Sequence, residues 1–300
     1  MSNPWYRDYA DWLSTLFEGK LQKITVDAGF SCPNRDGTIG RGGCSYCNNA
    51  SFSPDTSSDA PDLESRLEAG KRFFAGKYPN MRYLAYFQSY TNTHGPREQL
   101  LDLYSRALAV DGVVGLIIGT RPDCVDAGLL QDIRSVAGDR PVIMEYGAES
   151  SHDSTLQAVN RCHVWAGTVK AVELTAGCGL HCGLHFILGL PGETRQMMLE
   201  TVARLNRLPV ETVKFHQLQI IRGTRLAQQY EKGETDFIRF TPESYIELCI
   251  DIIERLRPDI AIERFVSQSP ADLLIEPRWG LKNYQFVNLL NRALAQRNPR

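Results

Sequence analysis

Short apolar runs of strand length alternate along the chain with stretches whose apolar residues return every three or four positions. The runs lie at residues 21–28, 83–87, 113–118, 142–146, 184–190, 213–221 and 260–266. Helical stretches lie at 62–75, 97–109, 125–136, 155–160, 167–176, 195–206 and 242–256. Pro242 followed by Glu243 is a good helix start, with Thr241 as N-cap. Regular strand–helix alternation reads as βαβ units around a parallel sheet. Six or seven such units suggest an α/β fold built as a partial or full TIM-like (β/α) barrel, more than a doubly wound sheet. The barrel is expected over residues 21–275, with an N-terminal extension at 1–20 and a C-terminal extension at 276–300. Residues 51–61 read as a short polar loop.

In such barrels the chemistry sits in the loops that follow the strands. Those loops are polar and rich in Gly or Cys here. They are Gly29-Phe-Ser-Cys-Pro-Asn-Arg-Asp-Gly37, Gln88-Ser-Tyr-Thr-Asn-Thr-His94, Gly119-Thr-Arg-Pro-Asp123, Gly147-Ala-Glu-Ser-Ser151 and Gly189-Leu-Pro-Gly-Glu-Thr194.

Composition adds exclusions. Of 300 residues, 43% are hydrophobic and 23% charged, which excludes a disordered chain or a fibrous repeat. With 33 Lys plus Arg against 35 Asp plus Glu, the net charge is −2, so any nucleic-acid surface must be local. No apolar run of about 18 residues suggests a membrane span. The N-terminus lacks the basic and apolar regions of a signal peptide, so a cytoplasmic protein is expected. Eight cysteines in a reducing compartment should be thiols, metal ligands or catalytic groups.

The strongest chemical signal is Cys32-Pro-Asn-Arg-Asp-Gly-Thr-Ile-Gly-Arg-Gly-Gly-Cys44-Ser-Tyr-Cys47. The two-residue gap turns two thiolates onto one metal centre. The longer gap holds four glycines, which let it wrap a bulky inorganic group and offer backbone N–H groups to cluster sulfides. Three thiolates suit an iron–sulfur cluster with one open iron. A closed zinc site needs a fourth ligand, and the nearest candidate is His94. Both readings stand on spacing alone. Tyr46 adds an aromatic wall.

This loop resembles that of the radical S-adenosylmethionine (SAM) enzymes, and within them the YhcC-like proteins, relatives of the elongator catalytic subunit. The resemblance extends through Tyr83-Leu-Ala-Tyr-Phe-Gln88, Gly119-Thr-Arg-Pro-Asp-Cys124, His185-Phe-Ile-Leu-Gly-Leu-Pro-Gly-Glu193 and Gly223-Thr-Arg-Leu-Ala227, and covers about residues 20–280. It implies a [4Fe–4S] cluster held by Cys32, Cys44 and Cys47, with SAM on the open iron. Reductive cleavage of SAM would then yield a radical that takes hydrogen from a substrate. It implies SAM contacts from Gln88, Thr91, Asn92, Thr120, Arg121, Glu149, Ser150, Leu188 and Gly189. Arg121 would grip a carboxylate in two-point fashion, or else anchor the turn before Pro122. A reductant such as flavodoxin or ferredoxin is implied, and a tRNA wobble-uridine side chain becomes a candidate substrate. A small molecule or peptide, or a non-radical zinc or iron–sulfur scaffold, remains the alternative. The chain departs from the family at Gln88-Ser-Tyr-Thr-Asn92, Gly147-Ala-Glu-Ser150, Asn160-Arg-Cys-His163 and His216-Gln-Leu218.

Other soft ligands read more blandly. Cys178, His181, Cys182 and His185 straddle a turn and a strand, so Cys182 is expected as a small buried hydrophobe. Cys249 should be core. Cys162, beside His163, could be a redox thiol in a substrate-side loop. His185 and His216 lie on strands that should face the barrel interior at some positions, and Lys214 shares the side-chain parity of His216. No basic stripe is evident, although Arg255, Arg257 and Arg264 cluster near the end of the barrel, followed by Arg278, Lys282 and Arg292.

Overall fold

The computed structural model describes residues 3–51, 62–76 and 81–297. Most of the polar loop expected at 51–61 therefore lies outside the described residues. Among the described residues nine strands appear in chain order: β1 (Leu21–Val26), β2 (Arg82–Phe87), β3 (Val113–Thr120), β4 (Val142–Glu149), β5 (His181–Leu188), β6 (Thr212–Gln217), β7 (Ile220–Ile221), β8 (Ala261–Arg264) and β9 (Leu274–Glu276). Seven of them form one sheet, ordered β1-β2-β3-β4-β5-β6-β8, and every pairing is parallel. The sheet curls into a half-barrel with helices outside, the radical SAM form of a partial TIM barrel.

The principal helices are α1 (Tyr9–Leu16), α2 (Pro33–Asp36), α3 (Leu63–Ala75), α4 (Arg97–Ala109), α5 (Ala127–Ala137), α6 (Asp153–Ala158), α7 (Trp165–Gly177), α8 (Arg195–Leu205), α9 (Arg225–Glu231), α10 (Pro242–Arg255) and α11 (Asn283–Arg297). Thr241 caps α10 in a reciprocal box with Ser244. The expected single strand at 213–221 is two strands, because the chain leaves the sheet at Leu218 and Gln219 before β7 pairs antiparallel with β9. Helix α11 is not a detached tail. Its Phe286, Leu290 and Leu294 are buried in the main core.

Strand periodicity sorts side chains between two layers. Tyr83, Ala85 and Phe87 of β2, Val142, Met144 and Tyr146 of β4, and Leu184 and Phe186 of β5 face the helices. The alternate positions Leu84, Tyr86, Ile117 and Ile143 join Tyr9, Trp12 and Phe17 in a smaller cluster. Helix α1 thus plugs the bottom of the lumen. The segment just before it also covers the sheet edge, where Asp8 bridges in parallel to Ile262. Trp12 Nε1 donates to Glu211 at 3.1 Å.

Above that plug the inward positions become charged. Glu145, 1% exposed, accepts from Lys214 Nζ at 2.6 Å and lies 3.8 Å from Lys23 Nζ. Glu263 meets Lys23 at 2.8 Å and Lys214 at 3.2 Å. The network ties β1 to β8, which stand at opposite ends of the sheet order. A register shift between Val213 and Lys214 adds a residue on β8. In consequence Glu263 reaches the network while the next residue, Arg264, lines the lumen as well.

Removing one partner of a buried ion cluster leaves uncompensated charge. Glu145→Ala is expected to destabilise the protein by about 3–5 kcal/mol, read as a lower urea midpoint. A midpoint within error of the parent would show that the lysines find water instead.

Candidate active site

One cavity opens where the strand ends meet the cysteine loop, with about 1250 Å³ of empty space counted out to its mouth. Cys32, Cys44 and Cys47 all line it, and all three are free thiols. Their loop is built tightly. Pro33 starts the single turn of α2, and Gly43, at φ +74°, passes so near Arg35 that a Cβ would sit 3.0 Å from its Nε. A Cβ at Gly40 would run into Asn34 Oδ1. The expectation of free glycine N–H groups is corrected for three of the four glycines. Gly37, Gly40 and Gly43 donate within the loop, to Gly40, Pro33 and Asn34 carbonyls, because those bonds close its turns.

A second loop clasps the first. Asn34 Nδ2 donates to Asn160 O at 2.6 Å, and Asn160 Nδ2 donates back to Gly43 O at 2.9 Å. Asn160 and Cys162 hold positive φ, +55° and +60°, which lets the segment turn sharply onto the cysteines. Between them, the buried Arg161 brings Nη1 to 3.6 Å from Cys44 Sγ, and Asn34 Nδ2 reaches the same sulfur at 3.6 Å. Arg161 Nε donates to His163 Nε2 at 3.1 Å, and Nη2 donates to Gly147 O at 2.5 Å. Burial and the Arg161 charge push His163 down to about 3, so it stays a neutral acceptor. Cys162 Sγ lies 3.1 Å from Asn34 Oδ1, which gives that thiol a place in the clasp.

The residues expected to contact SAM divide into two groups. Gln88, Thr91, Thr120, Arg121 and Glu149 line the cavity. Asn92, Ser150, Leu188 and Gly189 do not appear in its wall. Asn92 is buried and donates to Phe87 O and Gly119 O, tying β2 to β3. Ser150 donates to buried Glu193, whose carboxyl is pushed up to about 7 by burial. Leu188 packs in the outer core, and Gly189 turns the chain against Phe240. The β4–β5 register shift at Gly147/Glu149 immediately precedes Ser150. Arg121 already spends Nε and Nη2 on Asp123 at 2.9 and 2.8 Å, so its two-point grip is on its own chain. Its buried Nη1 has no partner, and neither has Thr91 Oγ1. Glu149, at φ +67°, lies 3.7 Å from Arg161 Nη2, and burial raises its carboxyl despite that cation.

His94 pairs with Asp36 at 2.8 Å and supplies no fourth ligand. Likewise His181 pairs with Glu211, while His185 meets Glu145 at 3.2 Å. Cys182 and Cys249 are buried core thiols. Among the described residues, no three His, Cys, Asp or Glu side chains converge closely enough to hold a single ion. Three free thiols of one loop bordering one cavity, with N–H groups of Arg161 and Asn34 directed at Cys44 Sγ, fit a group held by thiolates. The unpartnered polar atoms of Thr91 and Arg121 in the same wall fit a polar cofactor beside it.

Residues 35–205 match the family model of the Radical SAM superfamily, and residues 210–296 match the Radical_SAM C-terminal domain. Protein YhcC of Escherichia coli (strain K12) is 35% identical over 286 residues, covering 95% of this chain and 90% of that protein. The chain belongs to the radical SAM superfamily, in its YhcC-like branch. A tRNA uridine(34) acetyltransferase of Methanocaldococcus infernus is 25% identical over 192 residues, which cover 62% of this chain and 34% of that protein. The solved structure of archaeal Methanocaldococcus infernus Elp3 with an N-terminal deletion superimposes with TM-score 0.68 at 18% identity. That match covers 94% of this chain and 64% of the other, and it shows the shared fold. This radical SAM enzyme uses a [4Fe–4S] cluster and SAM, and enzymes of the superfamily generally need an electron donor. Among the described residues no helix is long and apolar enough to cross a membrane.

Several site residues carried weak signals in the sequence. Arg161 lies within Asn160-Arg-Cys-His163, yet nothing in the sequence marks its guanidinium as the clasp. Lys23 and Glu145, charges inside apolar strand runs, were the visible hints of a polar lumen.

Burial, Arg264 and His185 hold His216 down to about 3, so the folded protein keeps it neutral. The unfolded chain takes up a proton below about pH 6.5 and the folded one does not, so His216 costs stability as pH falls from about 6.5 towards 3. The urea midpoint of His216→Gln should therefore fall less than the parent's between about pH 7 and pH 5. Equal losses would mean that His216 titrates freely in the folded state.

Proposed function

We propose that this enzyme acts in the cytoplasm, draws electrons from a flavodoxin or ferredoxin, and modifies a tRNA wobble-uridine side chain. The observation that carries the substrate class is the similarity to a tRNA uridine(34) acetyltransferase across 62% of this chain, supported by the Elp3-like fold. The catalytic unit is taken as residues 21–275, flanked by 1–20 and 276–300.

When bound, the cluster and SAM supply a one-electron cleavage that yields methionine and a 5′-deoxyadenosyl radical able to take a hydrogen atom. The chain's own residues prepare for it. Cys32, Cys44 and Cys47 would hold three irons as thiolates. Burial and neighbouring Cys44 push the Cys47 thiol up to about 11, so metal binding must displace its proton. Arg161 and Asn34 direct N–H groups at Cys44 Sγ, which partly offsets the negative charge there. Gln88, Thr91 and Thr120 would contact SAM through polar groups of the cavity wall, with Arg121 Nη1 as a free donor for its carboxylate. Tyr46, Ile187, Leu218 and Ile221 make the wall apolar and exclude water from the reacting centre.

A second reading, a small-molecule substrate, is favoured by the surface charges. Arg255 and Arg257 are paired with Asp251 and Asp259, Arg278 donates to backbone carbonyls, and Arg264 lies in the cavity. Four of the six grouped cations are thus paired, bonded or enclosed in the cavity. Comparison of tRNA nucleosides by mass between a deletion strain and its parent decides between the two. An altered uridine derivative supports tRNA, and an unchanged profile favours the small molecule.

Anaerobically reconstituted protein should be brown and should release 5′-deoxyadenosine from SAM with dithionite. Cys32→Ala, Cys44→Ala or Cys47→Ala should each abolish both signals while the far-ultraviolet circular dichroism is kept. Colourless parent protein holding stoichiometric zinc would sink the cluster assignment.

A further inference from the structure

The lumen and the cavity above it hold six cations, and two of them, Arg35 and Arg264, have no carboxylate partner among the described residues; Arg35 instead donates to Cys47 O at 2.8 Å. Lys23 is matched by Glu263 at 2.8 Å, Lys214 by Glu145 at 2.6 Å, Arg121 by Asp123 at 2.8 Å and Arg161 by Glu149 at 3.7 Å. Arg264 has no carboxylate within ion-pair distance among the described residues, and its buried Nε has no acceptor. A guanidinium N–H removed from water without a partner is costly, and a bound ligand is the ordinary remedy. The β-bulge that turns Arg264 inward alongside Glu263 sets this charge in the lumen rather than on the barrel's surface.

Its neighbours suit an acceptor-rich guest. The strand register aligns Gly147, His185, Lys214 and Arg264 across four adjacent strands. His216, on the cavity wall next to this row, makes only a long contact of 3.4 Å to Gln217 O. Ser267 and Ser269 line the same wall just beyond β8. This end is separate from the cysteine end. Arg264 exerts its charge on Tyr86, His185 and His216, whereas Arg121 sits against Arg161, which touches Cys44.

We propose that Arg264 and His216 form a subsite for an oxyanion, a carboxylate or phosphate, carried by the molecule from which hydrogen is abstracted. A guanidinium presents planar paired donors matched to either group. The subsite rests on the reading of this cavity as the radical SAM active site. It would bind a fixed substituent of the substrate and so set which carbon faces the cofactor.

The test uses holoenzyme reconstituted anaerobically and saturated with SAM, at constant ionic strength, by calorimetric titration. The probes are inorganic phosphate, uridine 5′-monophosphate against uridine, and succinate against succinamide. At least one oxyanion should bind while its neutral counterpart does not. Preference for the nucleotide points to a phosphate source, and preference for succinate to a carboxylate source. Arg264→Gln should weaken that binding about tenfold or more, and Arg264→Lys should weaken it less. Iron content and SAM affinity should be unchanged in both variants. The subsite is overturned if no oxyanion binds the parent, or if Arg264→Gln binds as the parent does. It is also overturned if that variant loses SAM affinity, which would assign Arg264 to the cofactor. Parent protein that takes up neither iron nor SAM overturns the active-site reading itself, and the subsite with it.

Discussion

The lumen of this half-barrel is organised by the need to keep a buried carboxylate in company. Glu145 stands at the inward position of a strand whose other face is sealed by helices. Two lysines and a histidine, drawn from β1, β6 and β5, converge on it. Charges in so dry a place have to satisfy one another, so each strand is held in a narrow range of positions relative to its neighbours. Glu263 extends the same arrangement to β8, and a salt bridge from Lys23 spans the two ends of the sheet. An apolar lumen could have been as stable. What this one supplies is a polar wall with groups poised to meet substrate.

The cysteine loop obeys a different constraint. Three thiols must stand around a space, and a loop of glycines cannot hold them there alone. The segment after β4 and α6 supplies the support. Asn34 donates to the Asn160 carbonyl and Asn160 to the Gly43 carbonyl, and Arg161 is joined to His163, Gly147 and Cys44. The three thiols therefore come from one loop and the support of that loop from another more than a hundred residues away. Glu149 and Arg121 complete a layer of buried charge under the cavity mouth.

The two ends of the cavity answer to different chemistry. Around the cysteines, cations face sulfur and developing negative charge. On the β5, β6 and β8 wall, neutral histidines and one unmatched guanidinium face open space. A single cavity with these two poles can seat a cofactor against one and a reacting partner against the other, which brings reacting atoms together without moving the scaffold.

The architecture was legible in the chain because it follows from local rules. Hydrophobic runs long enough for strands, separated by helical periodicity, determine a parallel sheet with chemistry in the loops after its strands. The two-residue gap between Cys44 and Cys47, and the four glycines between Cys32 and Cys44, made a shared thiolate site readable from the sequence. Spacing alone could not say which polar loop residues border the cavity. Asn92 and Ser150 turn into the protein, whereas Thr91 and Glu149, their immediate neighbours, face the opening. One residue of twist or bulge separates those outcomes. The clasp of Arg161 on Cys44, the pairing of Lys23 with Glu263 and the inward turn of Arg264 join positions remote in sequence. Only the closing of the sheet in three dimensions decided them, because burial, not neighbourhood along the chain, determines which charges must meet.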